Sequence, residues 1–183
     1  MYDFIKHKSK VIAVARRIEL LNQIKDDIST KYPDSCIHIE VMDVSDSDSV
    51  RLAMSKLPNE FKQIDVLINN AGLAVGVDHL SDVSDDAIHR VFDTNVKGLL
   101  YVTKAVVSGM KQRNSGHIIN VGSVAGKSSY AGGGVYCASK HAVHSITDTL
   151  RYELLDTGIR VTEISPGLVE TEFSKVRFDV RWK

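Results

Sequence analysis

No stretch of this sequence stays apolar for the roughly 20 residues that a membrane-spanning helix requires, and the opening MYDFIKHKS lacks the pattern of a secretory signal. Cysteine is scarce. Cys36 and Cys137 are the only two and lack metal-ligand spacing, so no metal site is expected and a reduced, cytoplasmic setting is. An excess of either charge is missing as well. Lys plus Arg and Asp plus Glu number 23 each, which leaves no net field to recruit nucleic acid or an anionic membrane. Repeats, low-complexity tracts and linkers are absent, and 183 residues read as one domain over 1–183. The 43% hydrophobic and 25% charged residues are ordinary for a globular protein, so composition excludes classes without choosing a function.

What is present alternates between two periods. Lys10–Ala15 (KVIAVA) is a continuous apolar run suited to a strand buried on both faces. Arg16 and Arg17 follow, then a helical spacing of Ile18, Leu21, Ile24 and Ile28 up to a break at Pro33-Asp34. Cys36–Met42 (CIHIEVM) reads as a second strand, closed by Asp43 and Val44, with Ser45 and Asp48 resembling a capping box for the next helix. Asp65–Asn69 (DVLIN) is a third strand, ending in Asn69-Asn70-Ala71-Gly72. Ser84-Asp85-Asp86 caps one long helix that carries Ile88, Val91, Phe92, Asn95, Val96, Leu99 and Leu100 towards Met110. His117–Val121 (HIINV) and Ile159–Ile164 (IRVTEI) are the fourth and fifth strands. A helix from about Tyr136 runs between them and ends near Gly158, which suits a left-handed C-cap. Such alternation predicts an α/β fold with a parallel sheet between helices. Ligands of open α/β sheets sit outside the carboxyl ends of the strands, and Arg16, Asp43, Asn70, Ser123 and Pro166 each fall just after one.

The stretch Asn120–Lys140, NVGSVAGKSSYAGGGVYCASK, carries the chemistry. Tyr136 and Lys140 lie four apart, so one helical face presents a phenol and an ammonium together. A nearby ammonium favours phenolate, drawing the phenol down from about 10 towards values useful for proton transfer. Ser123 can offer a hydroxyl to the same reacting oxygen, the arrangement needed to reduce a carbonyl or oxidise an alcohol. Asn95, polar within an apolar helix stripe, needs a partner of its own. His141 and His144 read as surface histidines, and Cys137 as a packed small residue.

These motifs resemble the short-chain dehydrogenase/reductase family along almost the whole chain: NNAG at Asn69–Gly72, FDTNVKG at Phe92–Gly98, NVGSVAG at Asn120–Gly126, YCASK at Tyr136–Lys140 and SPGLVETEF at Ser165–Phe173. The wording of YCASKHAV and PGLVETEF is similar to NADP-dependent 3-hydroxy acid dehydrogenases acting on serine and related substrates. The resemblance implies a Rossmann-type, doubly wound parallel sheet, with Tyr136 as general acid/base and Ser123 holding the substrate oxygen. Lys140 would lower the tyrosine pKa and bond the nicotinamide ribose, and Asn95 would hold a water linking Lys140 to solvent. Asp43 and Val44 would border the adenine, and Asn70, Ala71 and Gly72 the adenosine ribose. Pro166, Gly167, Val169 and Thr171 would hold the nicotinamide end. Arg16 and Arg17, with no acid before Glu19, favour NADP over NAD, because arginine accommodates a 2′-phosphate. Partners implied are a small-molecule substrate and further copies of the chain, as a homodimer or homotetramer through helices at about 84–112 and 136–156.

The resemblance is interrupted at both ends. The family opens with a strand and a glycine-rich turn that cradles the cofactor pyrophosphate, and Met1 falls just before what would be the family's second strand. After Phe173 only SKVRFDVRWK remains of a longer substrate-covering region. In the strand order 3-2-1-4-5-6 the first strand lies between the second and the fourth, so its loss is expected to split the sheet and weaken a lone monomer. The alternating Val176, Phe178, Val180 and Trp182 could supply a replacement strand, although a solvated tail is the expectation. The alternative function is therefore a truncated, catalytically inactive relative, or an incomplete gene model.

Overall fold

The first apolar run forms strand β1 (Val11–Ala15) in the computed structural model, which describes residues 1–169 and residue 173. It pairs in parallel with β2 (Ile37–Val41), Val11 opposite Ile37 and Ala15 opposite Val41. Parallel neighbours need a crossover, supplied here by the helix at Ile18–Lys31, which buries Leu21 and Ile28 of its apolar stripe. Two local expectations change in this part of the chain. The polar opening forms a short helix, α1 (Tyr2–Lys6), because Ile5 is buried and the Tyr2 hydroxyl donates to Asp27 Oδ2 at 2.7 Å. Lys31 Nζ donates to the same oxygen at 2.9 Å, tying α1 to the crossover helix, α2. The next helix, α3 (Ser47–Lys56), is capped by Asp46, whose side chain accepts from the Asp48 N–H at 2.8 Å. Ser45 is drawn instead to Asp43, so the capping-box reading is displaced by one residue. These elements make up one compact unit, Met1–Gln63.

A second unit, Ile64–Lys183, holds β3 (Val66–Asn69), β4 (Gly116–Val121) and β5 (Ile159–Ile164), all parallel in the order β3-β4-β5. Among the described residues the strands thus form two hydrogen-bonded sheets, of two and three strands, as the expected split requires. The architecture is a Rossmann-like α/β fold. The expected long helix is interrupted: α4 (Asp85–Phe92), capped by Ser84, passes into a π-helical turn over Asp93–Gly98 before α5 (Leu99–Arg113). Asn95 and Gly98 are the buried residues of that turn. The last helix, α6 (Gly134–Glu153), buries Cys137 and Val143 against a core that includes Val91, Met110 and Ile118.

Gly158 is not a left-handed cap. Among the described glycines only Gly76 and Gly132 have positive φ, and α6 already ends at Leu154. Glycine is needed at 158 because a β-carbon there would stand 2.2 Å from the Asn114 carbonyl oxygen. Asn114 itself is left-handed, closes α5, and accepts from the Gly158 N–H through Oδ1 at 2.9 Å. No helix among the described residues is long and apolar enough to cross a membrane. Thr171 and the alternating tail at Val176, Phe178, Val180 and Trp182 lie outside the described residues.

Candidate active site

Lys140 is a buried charged group of the second unit. It is only 6% exposed, and its Nζ donates to the Val121 carbonyl at the end of β4 at 2.8 Å. Burial pushes its pKa down to about 8, against the opposing charge of Glu163. Nζ lies 5.9 Å from the centroid of the Tyr136 ring, one helical turn earlier, so the face expected of Tyr-x-x-x-Lys is present. Tyr136 is half-buried in the first turn of α6, and its ring packs at 5.7 Å, tilted 54°, on that of Phe173.

Ser123 follows β4 by two residues and starts a single 3-10 turn, Val124–Gly126. Its Oγ accepts from the Ala125 N–H at 3.1 Å, which leaves the hydroxyl proton to donate elsewhere. The β4–α6 connection is tied to the end of β5 by Gly122 N–H to the Ile164 carbonyl at 2.8 Å and Val124 N–H to the Pro166 carbonyl at 3.0 Å. Ser123 and Pro166 are thereby brought together. Gly167 and Val169 follow in exposed chain, and a β-carbon on Gly167 would meet nothing within 4 Å.

Asn95 faces inward, as its position in the stripe predicts, and its partners are explicit. Its Nδ2 donates to the Leu73 carbonyl at 2.9 Å and to Ser139 Oγ at 3.0 Å, while Oδ1 accepts from the Leu73 N–H at 2.8 Å. One amide thus fastens the segment after Asn70, Ala71 and Gly72 to α6. A β-carbon on Gly72 would lie 3.3 Å from Asn95 Oδ1 and 3.5 Å from Lys140 Nζ, so both polar heads converge above this glycine. Behind them runs a buried chain of neutral groups. Asn69 Nδ2 bonds Thr103 Oγ1 and Asn120 Oδ1, each at 2.9 Å. Asn120 Nδ2 donates to Thr147 Oγ1 at 2.9 Å, and that hydroxyl donates to the Val143 carbonyl at 2.7 Å.

The first unit carries the other expected residues. Arg16 immediately follows β1, and its NH1 lies 3.9 Å from Asp43 Oδ2, with the two side chains 68% and 40% exposed. Burial raises the Asp43 carboxyl, but bonds from the Ser45 hydroxyl and N–H, with the Arg16 charge, outweigh it and hold the group below its ordinary value. Arg17 opens α2, its carbonyl accepting from the Leu21 N–H at 3.2 Å, and Val44 is half-buried beside Asp43.

Sequence reasoning missed Glu163. Its two oxygens accept from Ser165 Oγ at 2.8 Å and bond His144 Nδ1 at 2.6 Å. His144 is therefore a part-exposed histidine bonded to Glu163, whereas His141 is exposed and turns Nδ1 to the Cys137 carbonyl. The available signal was an acid in a strand, two residues before Ser165-Pro166-Gly167.

Comparison with known proteins agrees with this geometry. The chain is 47% identical over 171 residues to an NADP-dependent 3-hydroxy acid dehydrogenase of Schizosaccharomyces pombe, covering 93% of this chain and 66% of that relative. It is 46% identical over 176 residues to the enzyme of the same name from Escherichia coli (strain K12), covering 96% of this chain and 69% of that one. Among solved structures, the closed form of a serine dehydrogenase complexed with NADP+ superposes with a TM-score of 0.92 at 45% identity, over 97% of this chain and 70% of that chain. The chain thus spans about two thirds of the length of the curated relatives it matches. The family model described as short chain dehydrogenase matches residues 2–181, and this chain belongs to that family.

Proposed function

We propose that this chain is a cytoplasmic oxidoreductase that moves hydride between NADP and a small hydroxy compound, a 3-hydroxy acid such as serine, or its ketone. The observation that carries the reading is the buried Lys140 ammonium seated on the Val121 carbonyl with the Tyr136 ring centroid 5.9 Å from it, Ser123 following the same strand by two residues. Relatives named as NADP-dependent dehydrogenases support it over a non-catalytic relative.

Taken separately, each unit carries residues that would suit part of such a cofactor. Exposed Arg16, leaning on Asp43, would hold a 2′-phosphate, with Arg17, Asp43 and Val44 bordering the adenine. Asn70, Ala71 and Gly72 would follow the adenosine ribose, and Gly72 admits a close approach because Asn95 and Lys140 already occupy its side-chain space. Pro166, Gly167, Val169 and Thr171 would hold the nicotinamide end. When bound, the cofactor supplies or accepts the hydride.

The chain's own residues manage the proton. In reduction the Tyr136 hydroxyl gives its proton to the substrate oxygen, and in oxidation the phenolate takes it back. Lys140 stabilises the phenolate with a charge that burial keeps from being screened, and would bond the nicotinamide ribose. Ser123 donates its remaining proton to the same substrate oxygen. A water above Gly72 would bridge Asn95 Oδ1 to Lys140 Nζ and return protons from solvent. A homodimer or homotetramer through α4–α5 and α6 draws support from exposed Leu100 and from a shallow cleft lined by Leu100, Ile146, Thr149 and Leu150.

The test is Tyr136→Phe. Oxidation of serine with NADP, followed as NADPH absorbance, should fall by about 10²–10⁴-fold. Unchanged turnover would refute the acid/base assignment.

A further inference from the structure

Tyr136, Lys140, His144 and Asp148 recur at every fourth residue of α6, so one stripe of the helix continues beyond the proton-handling pair. His144 Nδ1 lies 2.6 Å from Oε2 of Glu163, whose side chain is only 5% exposed, and His144 Nε2 lies 3.6 Å from Asp148 Oδ2. The second Glu163 oxygen, Oε1, accepts from Ser165 Oγ at 2.8 Å. That oxygen also lies against the end of β4: a β-carbon on Gly122 would stand 2.3 Å from it, so a larger residue here would displace the carboxylate. Val121, the residue before, gives its carbonyl to Lys140 Nζ at 2.8 Å. The Val121–Gly122 segment therefore receives the ammonium at one residue and the carboxylate at the next.

A buried ammonium is stable only with a counter-charge, and a buried carboxylate only with donors. Lys140 faces Tyr136 on its own helix, Asn95 from the π turn, the Val121 carbonyl from β4, and the charge of Glu163 from β5. Glu163 in turn faces His144 from α6, Ser165 beyond β5 and the charge of Lys127. Burial raises its carboxyl, but the bonds from His144 and Ser165, with the charges of His144 and Lys127, outweigh burial and hold it below the ordinary range. It is ionised wherever the enzyme would work.

Building on the role proposed for Lys140, we propose that Glu163 is its positioning residue. The carboxylate, clamped by His144 and Ser165 against Gly122, keeps the Lys140 ammonium charged and seated on Val121 beside Tyr136.

The test reads Lys140 directly. NMR of the full chain labelled with [ε-13C]lysine follows the ionisation of that ammonium without cofactor or turnover, its resonance assigned by loss in Lys140→Met. The wild-type midpoint is expected at about 8. Glu163→Gln keeps shape and removes the charge, and the midpoint should fall by roughly half to one pH unit. In carbonyl reduction the alkaline limb of kcat, which follows loss of the ammonium, should move down in parallel with KM little changed. An unmoved midpoint in folded Glu163→Gln overturns the proposal. If that variant does not fold, His144→Ala alters a side chain that is 38% exposed and removes the donor to Oε2. Its midpoint should fall by a smaller amount, and no movement there overturns the proposal too. Intact turnover in Tyr136→Phe would sink the enzymatic reading alone, because the NMR titration does not depend on catalysis.

Discussion

At the carboxyl end of β1 and β2 the polar groups are charged and wet: Arg16 and Asp43 are 3.9 Å apart with side chains 68% and 40% exposed. Behind the carboxyl ends of β3, β4 and β5, apart from the charged Lys140 and Glu163, they are neutral and dry: Asn69, Asn95, Thr103, Asn120, Ser139 and Thr147 are all buried, each bonded to at least one other polar group. Exposed charges interact weakly, because water screens them, and one can be exchanged without disturbing its neighbours. Buried amides form a collective, since removing one strands its partners without water. One part of the chain is thus suited to choosing a ligand, and the other to holding reacting groups still.

The strongest challenge to that contrast is Asn120→Ala, which removes one of the two acceptors of Asn69 Nδ2 on one side and the donor to Thr147 Oγ1 on the other. Urea unfolding should show a loss of about 3–5 kcal/mol, large for a single side chain. A loss below about 1 kcal/mol would mean the network is not collective.

A smaller effect separates function from stability within the same unit. Lys140 is depressed to about 8 when folded, so its charged form is disfavoured by folding. The sign follows from linkage: between that value and its ordinary value near 10.4 the unfolded chain binds more protons, so this group's destabilisation is relieved as pH rises. Comparing urea unfolding of wild type and Lys140→Met, the difference should move in favour of wild type by about 2 kcal/mol between roughly pH 7.5 and 9.5. A flat difference would place Lys140 in water.

The mildest test falls on the wet rim. Arg16→Ala should weaken NADPH binding by about tenfold and NADH binding little, read by fluorescence titration. Its unfolding free energy should stay within about 0.5 kcal/mol of wild type. A larger loss of stability would erase the contrast between the two regions.

Much of this was legible beforehand because it rests on local pattern. The apolar runs located five strands to within a residue or two, and Tyr136 and Lys140 share a face by helical spacing alone. Asn95 was marked by its polarity in an apolar stripe, but not the π turn that contains it, since an extra residue per turn leaves no compositional trace. The helix start at Asp46 was displaced because Ser45 had a stronger claim from Asp43, a competition between two local bonds of similar appearance. Gly158 was read for its backbone freedom, yet what demands glycine there is the Asn114 carbonyl 44 positions away.

The sequence by itself determined the α/β alternation, the family motifs and the spacing of the proposed reacting groups, because each depends on residues close together in the chain. Only the tertiary structure decided which polar groups are buried and which carboxylate faces the ammonium. His144 and Glu163 stand 19 positions apart, and their pairing exists because α6 packs on β5. Burial and long-range charge are properties of packing, and no window of sequence contains them.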